Sequence, residues 1–169
     1  MGSPRLAKLC DSIELSVKDC CKDRISVSFS GGIDSTLIAF LAQKYCDVEL
    51  IAVGIPDAHD LKAARSASEL IGMELKVIVV EPKDMIAEGM EMQKCLNLSS
   101  IEVEFMLPFW IAAKNSDNSI LMCGQGADEL FGGYARFRTE DAEYDLEKEV
   151  SDLVNRLPDR ENKIAKKFG

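Results

Sequence analysis

Residues 26–36 read SVSFSGGIDST. Val27 and Phe29 alternate with serines, two glycines interrupt, and an aspartate and two hydroxyl residues follow. A period of two that runs into Gly-Gly predicts a buried strand, Ile25 to Phe29, that stops there and restarts as a helix. Such a turn leaves backbone N–H groups pointing outward. Gly31 and Gly32 lack Cβ atoms, so an anion can approach the main chain closely and positive φ costs little. The next helix adds its N-terminal dipole and unpaired donors. Ser30, Ser35 and Thr36 offer hydroxyls beside them. The whole string predicts a phosphate or pyrophosphate cradle.

Asp34 is the odd member of that cradle. A carboxylate beside phosphates is repulsive unless a cation lies between them, so Asp34 reads as a Mg²⁺ ligand. Taken singly, these residues also fit an ordinary helix start, with Ser30 as N-cap and Asp34 complementing the dipole.

Outward from this stretch the chain alternates helix and strand signals. Residues 3–21 carry Leu6, Leu9, Cys10, Ile13 and Val17 at helical spacing. Ile33 to Tyr45 is apolar almost all round and predicts a helix buried against a sheet. Val48 to Ile55 is a continuous apolar strand, as in a parallel sheet covered on both faces. Asp60 reads as the cap of a third helix that ends at Gly72. Leu75 to Val80 is a third strand. Lys83 to Leu96 and Glu102 to Lys114 read as helices, and Ser119 to Cys123 as a fourth strand ending in Gly-Gln-Gly. Strands separated by helices imply right-handed crossovers and an α/β fold: a doubly wound, mostly parallel sheet with helices on both faces. Ligands bind such sheets beyond the carboxyl ends of the strands, where the strand order reverses. Two of the four strands end in glycine-bearing loops.

The chain has 169 residues, 47% of them hydrophobic, which suits one domain with a core. Acidic residues outnumber basic ones, 29 to 20, for a net charge of −9, which disfavours nucleic acid as a partner. No apolar run reaches the roughly 20 residues a membrane span needs. Charges at Arg5, Lys8, Asp11, Glu14, Lys18 and Asp19 break up any signal-peptide core, so a cytoplasmic location is expected. Six cysteines, with no C-x-x-C pair and His59 as the one histidine, speak against zinc. They are expected mostly as small core residues. There is no G-x-x-x-x-G-K-[ST] loop, and Gly124-x-Gly126 lacks the third glycine of the dinucleotide fingerprint.

SFSGGIDST resembles the S-G-G-x-D-S loop of the N-type ATP pyrophosphatases, the PP-loop superfamily. GQGADELFGGY, Gly124 to Tyr134, resembles the G-E-G-A-D-E-L-F-G-G-Y segment of the asparagine synthetase family's synthetase domain. GIPDAHDLKAA, Gly54 to Ala64, resembles the stretch after that domain's second strand. The resemblance covers roughly residues 22–140. It implies an adenine nucleotide α-hydrolase-like fold and a ligase that adenylates a carboxylate with release of pyrophosphate, then forms an amide with ammonia. The domain implied is a single ATP pyrophosphatase-type unit over 1–169. It has an N-terminal helix at 1–21, a nucleotide-binding core at 22–135 and a helical, partly acidic tail at 136–169.

Carried over residue by residue, the resemblance implies that Ser30, Gly31, Gly32, Ser35 and Thr36 hold the pyrophosphate portion of ATP. Asp34 and Asp128 would share Mg²⁺. Phe29 and Val53 would flank the adenine, with Cys123, Gly124 and Gly126 against the nucleotide. Glu129 would bind Mg²⁺ through water or cap its helix. Leu130, Phe131 and Tyr134 read as packing residues, Asp57 and Asp60 as loop and cap residues, and His59 as a solvent-facing loop histidine.

The match departs from the family at three points. Gln125 stands where the family has the glutamate of G-E-G, and an amide carries no charge and takes no proton. The family's glutamine-hydrolysing domain would begin at an N-terminal cysteine, whereas this chain begins Met-Gly-Ser, so ammonia is expected free or from a separate partner. The family continues into a helical region with a phosphate-contacting lysine. The tail LPDRENKIAKKFG resembles only its start, and Lys163, Lys166, Lys167, Arg136 and Arg138 read as surface charges. Residues 140–157 show helical apolar spacing suited to packing on the domain or on a second copy, a possible homo-oligomer. Two other readings compete with the ligase: an RNA-modifying relative that shares the first loop, and an ATP-binding module whose chemistry is lost or needs a partner.

Overall fold

The computed structural model describes residues 3–133 and 146–168. The elements follow the order read from the sequence: α1 (Pro4–Cys20), β1 (Arg24–Ser28), α2 (Ile33–Ala42), β2 (Asp47–Gly54), α3 (His59–Ile71), β3 (Leu75–Val79), α4 (Pro82–Leu96), α5 (Ser100–Lys114), β4 (Leu121–Cys123), α6 (Ala127–Phe131) and α7 (Leu146–Phe168). The four strands form one parallel sheet in the order β3-β2-β1-β4. Val27 of β1 sits opposite Leu50 of β2 on one side and Met122 of β4 on the other. The chain winds outward from β1 to β3, then returns to place β4 on β1's free edge. The strand order therefore reverses between β1 and β4.

Each face of the sheet carries its own apolar layer. Because side chains alternate along a strand, Ile25, Val27 and Phe29 join Leu50 and Ala52 on one face, packed with Val17, Ala39, Leu41, Leu61 and Ala64 from α1, α2 and α3. The opposite layer unites Met92, Met106, Phe109, Trp110 and Ile164 from α4, α5 and α7 with Val53, Ile78 and Leu121. The Trp110 and Phe168 rings meet edge-on at 4.6 Å, seating the end of α7 on α5. On that second face β1 shows serines. Ser26 is fully buried, and its hydroxyl contacts Glu49 Oε2 (3.0 Å), Ser116 Oγ (2.8 Å) and Asn118 Nδ2 (2.9 Å). A buried hydroxyl is retained there because it is bonded.

Local signals account for most element ends. Gly72 takes the left-handed conformation, φ 69°, that closes α3. Ser99 and Glu102 form a reciprocal capping box at the start of α5. The second helix ends at Ala42 rather than Tyr45, because the amides of Lys44 and Tyr45 turn back three residues, to Leu41 and Ala42. Nor is α2 buried all round: Ile33, Leu37 and Phe40 are 82%, 44% and 49% exposed. A helix in an outer layer covers the sheet with one stripe only, here Ser35, Ala39, Leu41 and Ala42. The fourth strand is confined to Leu121–Cys123.

Asp60 does not cap α3. Ala58 holds the N-cap position and Asp60 lies in the first turn. Nor are the cysteines mostly buried in the core, although Cys21, Cys46 and Cys123 pack against its two layers. Cys10, Cys20 and Cys95 are exposed, Cys21, Cys46 and Cys123 are half-buried, and all six are free thiols. Burial pushes the Cys46 thiol up to about 12, helped by Cys21, so it stays protonated. No single helix among the described residues is long and apolar enough to cross a membrane.

Candidate functional site

The strand reversal places three strand ends side by side, and the loops beyond them enclose a cavity of about 420 Å³. Beyond β1, the turn Ser30–Gly32 is braced by its own hydroxyls. The Ser30 hydroxyl accepts from the Gly32 amide (3.2 Å). The Ser35 hydroxyl accepts from the Ser30 amide (3.3 Å) and donates to the Gly32 carbonyl (3.2 Å). Gly32 caps α2 with no side-chain hydrogen bond, so the first amides of α2 open toward the cavity end of the sheet.

Gly31 is glycine for a reason the sequence reading missed. Its φ is +77°, and a Cβ there would come within 2.6 Å of the Ala63 carbonyl group and 2.7 Å of the Ala64 amide nitrogen. The first loop thus rests directly on the backbone of α3, and close packing there also requires a glycine at 31. Gly32 is open by comparison, its nearest neighbour being the Ser30 hydroxyl at 3.3 Å.

Beyond β4, Gly124 brings the second loop against the first. A Cβ on it would lie 2.7 Å from the Ser35 amide nitrogen and 2.9 Å from Asp34 Cβ. Gly126 continues at φ 95° into α6, which carries Asp128 and Glu129. A Cβ on Gly133, two residues past α6, would collide with the Asp128 carboxylate, so a glycine there leaves that side chain its place.

The cavity collects most residues singled out from the sequence: Phe29, Ser30, Gly32, Asp34, Ser35, Val53, Cys123, Gly124, Gln125, Gly126 and Asp128 all line it. Asp34, in the first turn of α2, and Asp128, in the first turn of α6, line the same cavity. Gly31 and Thr36 do not line it. The Thr36 hydroxyl is buried with no hydrogen-bond partner among the described residues. Glu129, only 8% exposed, also lines the cavity. Leu130 and Phe131, expected to pack, are 57% and 58% exposed, because a helix of one short turn that buries Glu129 presents their side to solvent. Asp57 is a loop residue at φ 60°. His59 faces solvent, as the first residue of α3 rather than in the loop. Lys163, Lys166 and Lys167 are exposed on α7, while Tyr134, Arg136 and Arg138 lie outside the described residues.

Several lining residues were not foreseen. Ser28, Ile51 and Asp60 join from β1, β2 and α3, and α5 supplies a wall of Phe105, Pro108 and Phe109. The one sequence signal for that wall is a proline inside a helix, Pro108, which interrupts the helical hydrogen-bond ladder. The charged side chains among the described lining residues are Asp34, Asp60, Asp128 and Glu129, all acidic. The lining therefore joins aromatic and aliphatic side chains to carboxylates.

That donor set fits a magnesium–nucleotide pair. A polyphosphate entering among carboxylates needs cations between, and two acids plus phosphate oxygens and water suit Mg²⁺. Among the described residues no group of three or more His, Cys, Asp or Glu forms an all-protein cage, which Mg²⁺ does not require.

An open parallel sheet whose first strand ends in the SGGIDS loop and faces a second glycine loop across the reversal point agrees with the PP-loop class of α/β domain that the sequence resembles. The chain matches the asparagine synthase family model over residues 8–167. It belongs to that family. It is 33% identical over 141 residues to a putative glutamine-hydrolysing asparagine synthetase of Methanocaldococcus jannaschii, covering 79% of this chain and 26% of that protein. It is 27% identical over 147 residues to the human glutamine-hydrolysing asparagine synthetase, again 79% of this chain and 26% of the other. The chain thus spans about a quarter of the length of these relatives. The structure resembles that of NMN synthetase from Francisella tularensis, with TM-score 0.50 and 16% identity over 92% of this chain and 72% of that one; this likeness concerns the fold.

Proposed function

We propose that the cavity binds ATP with Mg²⁺ and adenylates a small carboxylate, aspartate being the first candidate, with release of pyrophosphate and transfer of the acyl group to ammonia. The observation that carries this reading is the meeting of the two glycine loops at one cavity, with Asp34 and Asp128 both lining it. Family membership supports the ATP-dependent ligase chemistry.

In this reading the Ser30–Gly32 turn and the first amides of α2 hold the pyrophosphate portion of ATP. Asp34 and Asp128 hold Mg²⁺, which when bound neutralises charge on the departing pyrophosphate. Phe29 and Val53 flank the adenine, together with the apolar wall of α5. Cys123, Gly124 and Gly126 lie along the nucleoside. The residues contribute positioning and charge stabilisation rather than covalent chemistry. The nitrogen donor is ammonia, free or released from glutamine. Gln125 brings an amide where a glutamate would bring a base, so no proton transfer is assigned to it.

Gln125 also favours a second reading, an ATP-binding module that depends on a partner for its chemistry. ATP–pyrophosphate exchange across a panel of amino acids separates the two. Exchange stimulated by aspartate is expected. Tight ATP binding with no exchange for any acid would leave the second reading standing instead.

A further inference from the structure

We infer that Gln125 is a positioning residue that pins the second loop to α5, and that this task needs a side chain that donates a hydrogen bond. Its Nε2 donates to the main-chain carbonyl of Phe105 at 3.3 Å, a contact that joins residues far apart in the chain. Both partners line the cavity. The carbonyl lies in the turn where Pro108, having no N–H, leaves the Glu104 carbonyl without its helical donor. The Phe105 carbonyl keeps the Phe109 N–H as its helical donor, and Gln125 gives it a second donor beside the gap that Pro108 leaves in the ladder.

The neighbouring residue explains why the pin matters. Gly124 presses the second loop against Asp34 and Ser35 at the start of α2. Gln125 reaches the other way, to α5. Two consecutive residues thus tie one loop to both walls of the cavity, just ahead of Asp128. The position of Asp128 depends on that loop.

The resembling family segment carries a glutamate at this position. An ionised carboxylate accepts hydrogen bonds and donates none. Placed against the Phe105 carbonyl it would set oxygen against oxygen and push the loop from α5. The glutamine is therefore more than a glutamate without charge: its amide N–H makes a contact that an isosteric glutamate makes only through a protonated carboxyl O–H.

The test uses the ligand-free full chain and backbone hydrogen exchange across residues 103–109 and 124–128, comparing wild type, Gln125→Ala and Gln125→Glu. At pH 8 both variants are expected to exchange faster in both segments, by roughly three- to tenfold for the loss of one hydrogen bond. For Gln125→Glu the excess over wild type, taken at each pH, shrinks as pH falls toward 4 and the carboxyl regains a proton to donate. For Gln125→Ala it does not change with pH. Gln125→Glu exchanging like wild type at pH 8, or an excess independent of pH, overturns the inference. The assignment to a positioning role within ATP binding rests on the function proposed above. The exchange measurement contains no nucleotide, so failure of the ATP reading leaves it interpretable. A parallel Mg²⁺–ATP titration by calorimetry is expected to show weaker binding for Gln125→Glu at pH 8, and unchanged binding would also count against the role.

Discussion

At the scale of single residues, the two glycines of the first loop have different jobs. The sequence suggests that both clear space for an anion. Gly31 also clears space for α3, with positive φ and a Cβ path blocked by the Ala63 and Ala64 backbone. Gly72 offers a control, since its φ of +69° is similar but nothing lies within 4 Å of the Cβ position. Gly72→Ala is expected to cost about 1 kcal/mol, the conformational penalty alone. Gly31→Ala, which adds a clash with main chain that cannot rotate away, is expected to cost at least about 3 kcal/mol. Urea midpoints of the two variants check this, and equal shifts would mean that α3 gives way easily. Alanine at Gly31 should also weaken nucleotide binding, because the turn is displaced as a unit.

At the scale of elements, the packing of α4 on α5 rests partly on one carboxylate. Glu88 accepts from Lys114 Nζ at 2.8 and 3.1 Å and from Trp110 Nε1 at 3.0 Å. Burial by itself would raise its pKa, but the Lys114 and Trp110 donors outweigh burial and hold the carboxyl below its ordinary value. A lowered folded-state pKa means the folded chain binds a proton less readily than the unfolded one. The stability gained is present above the unfolded value of about 4.3 and is lost as pH falls through the folded value. Wild type should therefore be more stable than Glu88→Gln at pH 7, and the difference should shrink on acidification from pH 5 to pH 3. Denaturant midpoints at matched ionic strength measure it, and a difference constant across that range would show that the charge is not what holds the pair. Since α5 forms the cavity wall, loosening this contact acts on the site from behind.

At the scale of the whole molecule, the reversal of strand order brings the two loops to one place, and the cavity there is acidic among its described residues. Binding of a nucleotide should then depend on divalent cation. Mg²⁺–ATP at a hundred times its dissociation constant is expected to raise stability by about 2.7 kcal/mol. ATP with a chelator should give no such gain. Asp34→Ala should unfold like wild type without ligand, because Asp34 is exposed, but should lose the Mg²⁺–ATP gain. Thermal unfolding with and without ligand checks each arm, and a full gain in Asp34→Ala would remove that residue from the metal site.

The order of helices and strands, the parallel sheet and the two glycine loops were determined by the sequence alone. Each is written in short-range features: a period of two running into Gly-Gly, helical spacing between strands, and glycines where the chain turns. Asp34 was legible for the same reason, whereas Gln125 and Asp128 stood out through the resemblance of GQGADELFGGY to the family segment. The tertiary structure decided which strands are neighbours, and that strand order is the physical reason why the turns after β1 and β4, joined beforehand only by the resemblance, share one cavity. It also decided that Phe105 and Pro108 of α5 form its wall, that Gly31 answers to α3, and that Ile33, Leu37 and Phe40 remain exposed on a helix that looked fully apolar. Local periodicity records how one segment folds, whereas contacts between distant segments follow from the packing order of the sheet and from which stripe of each helix meets it.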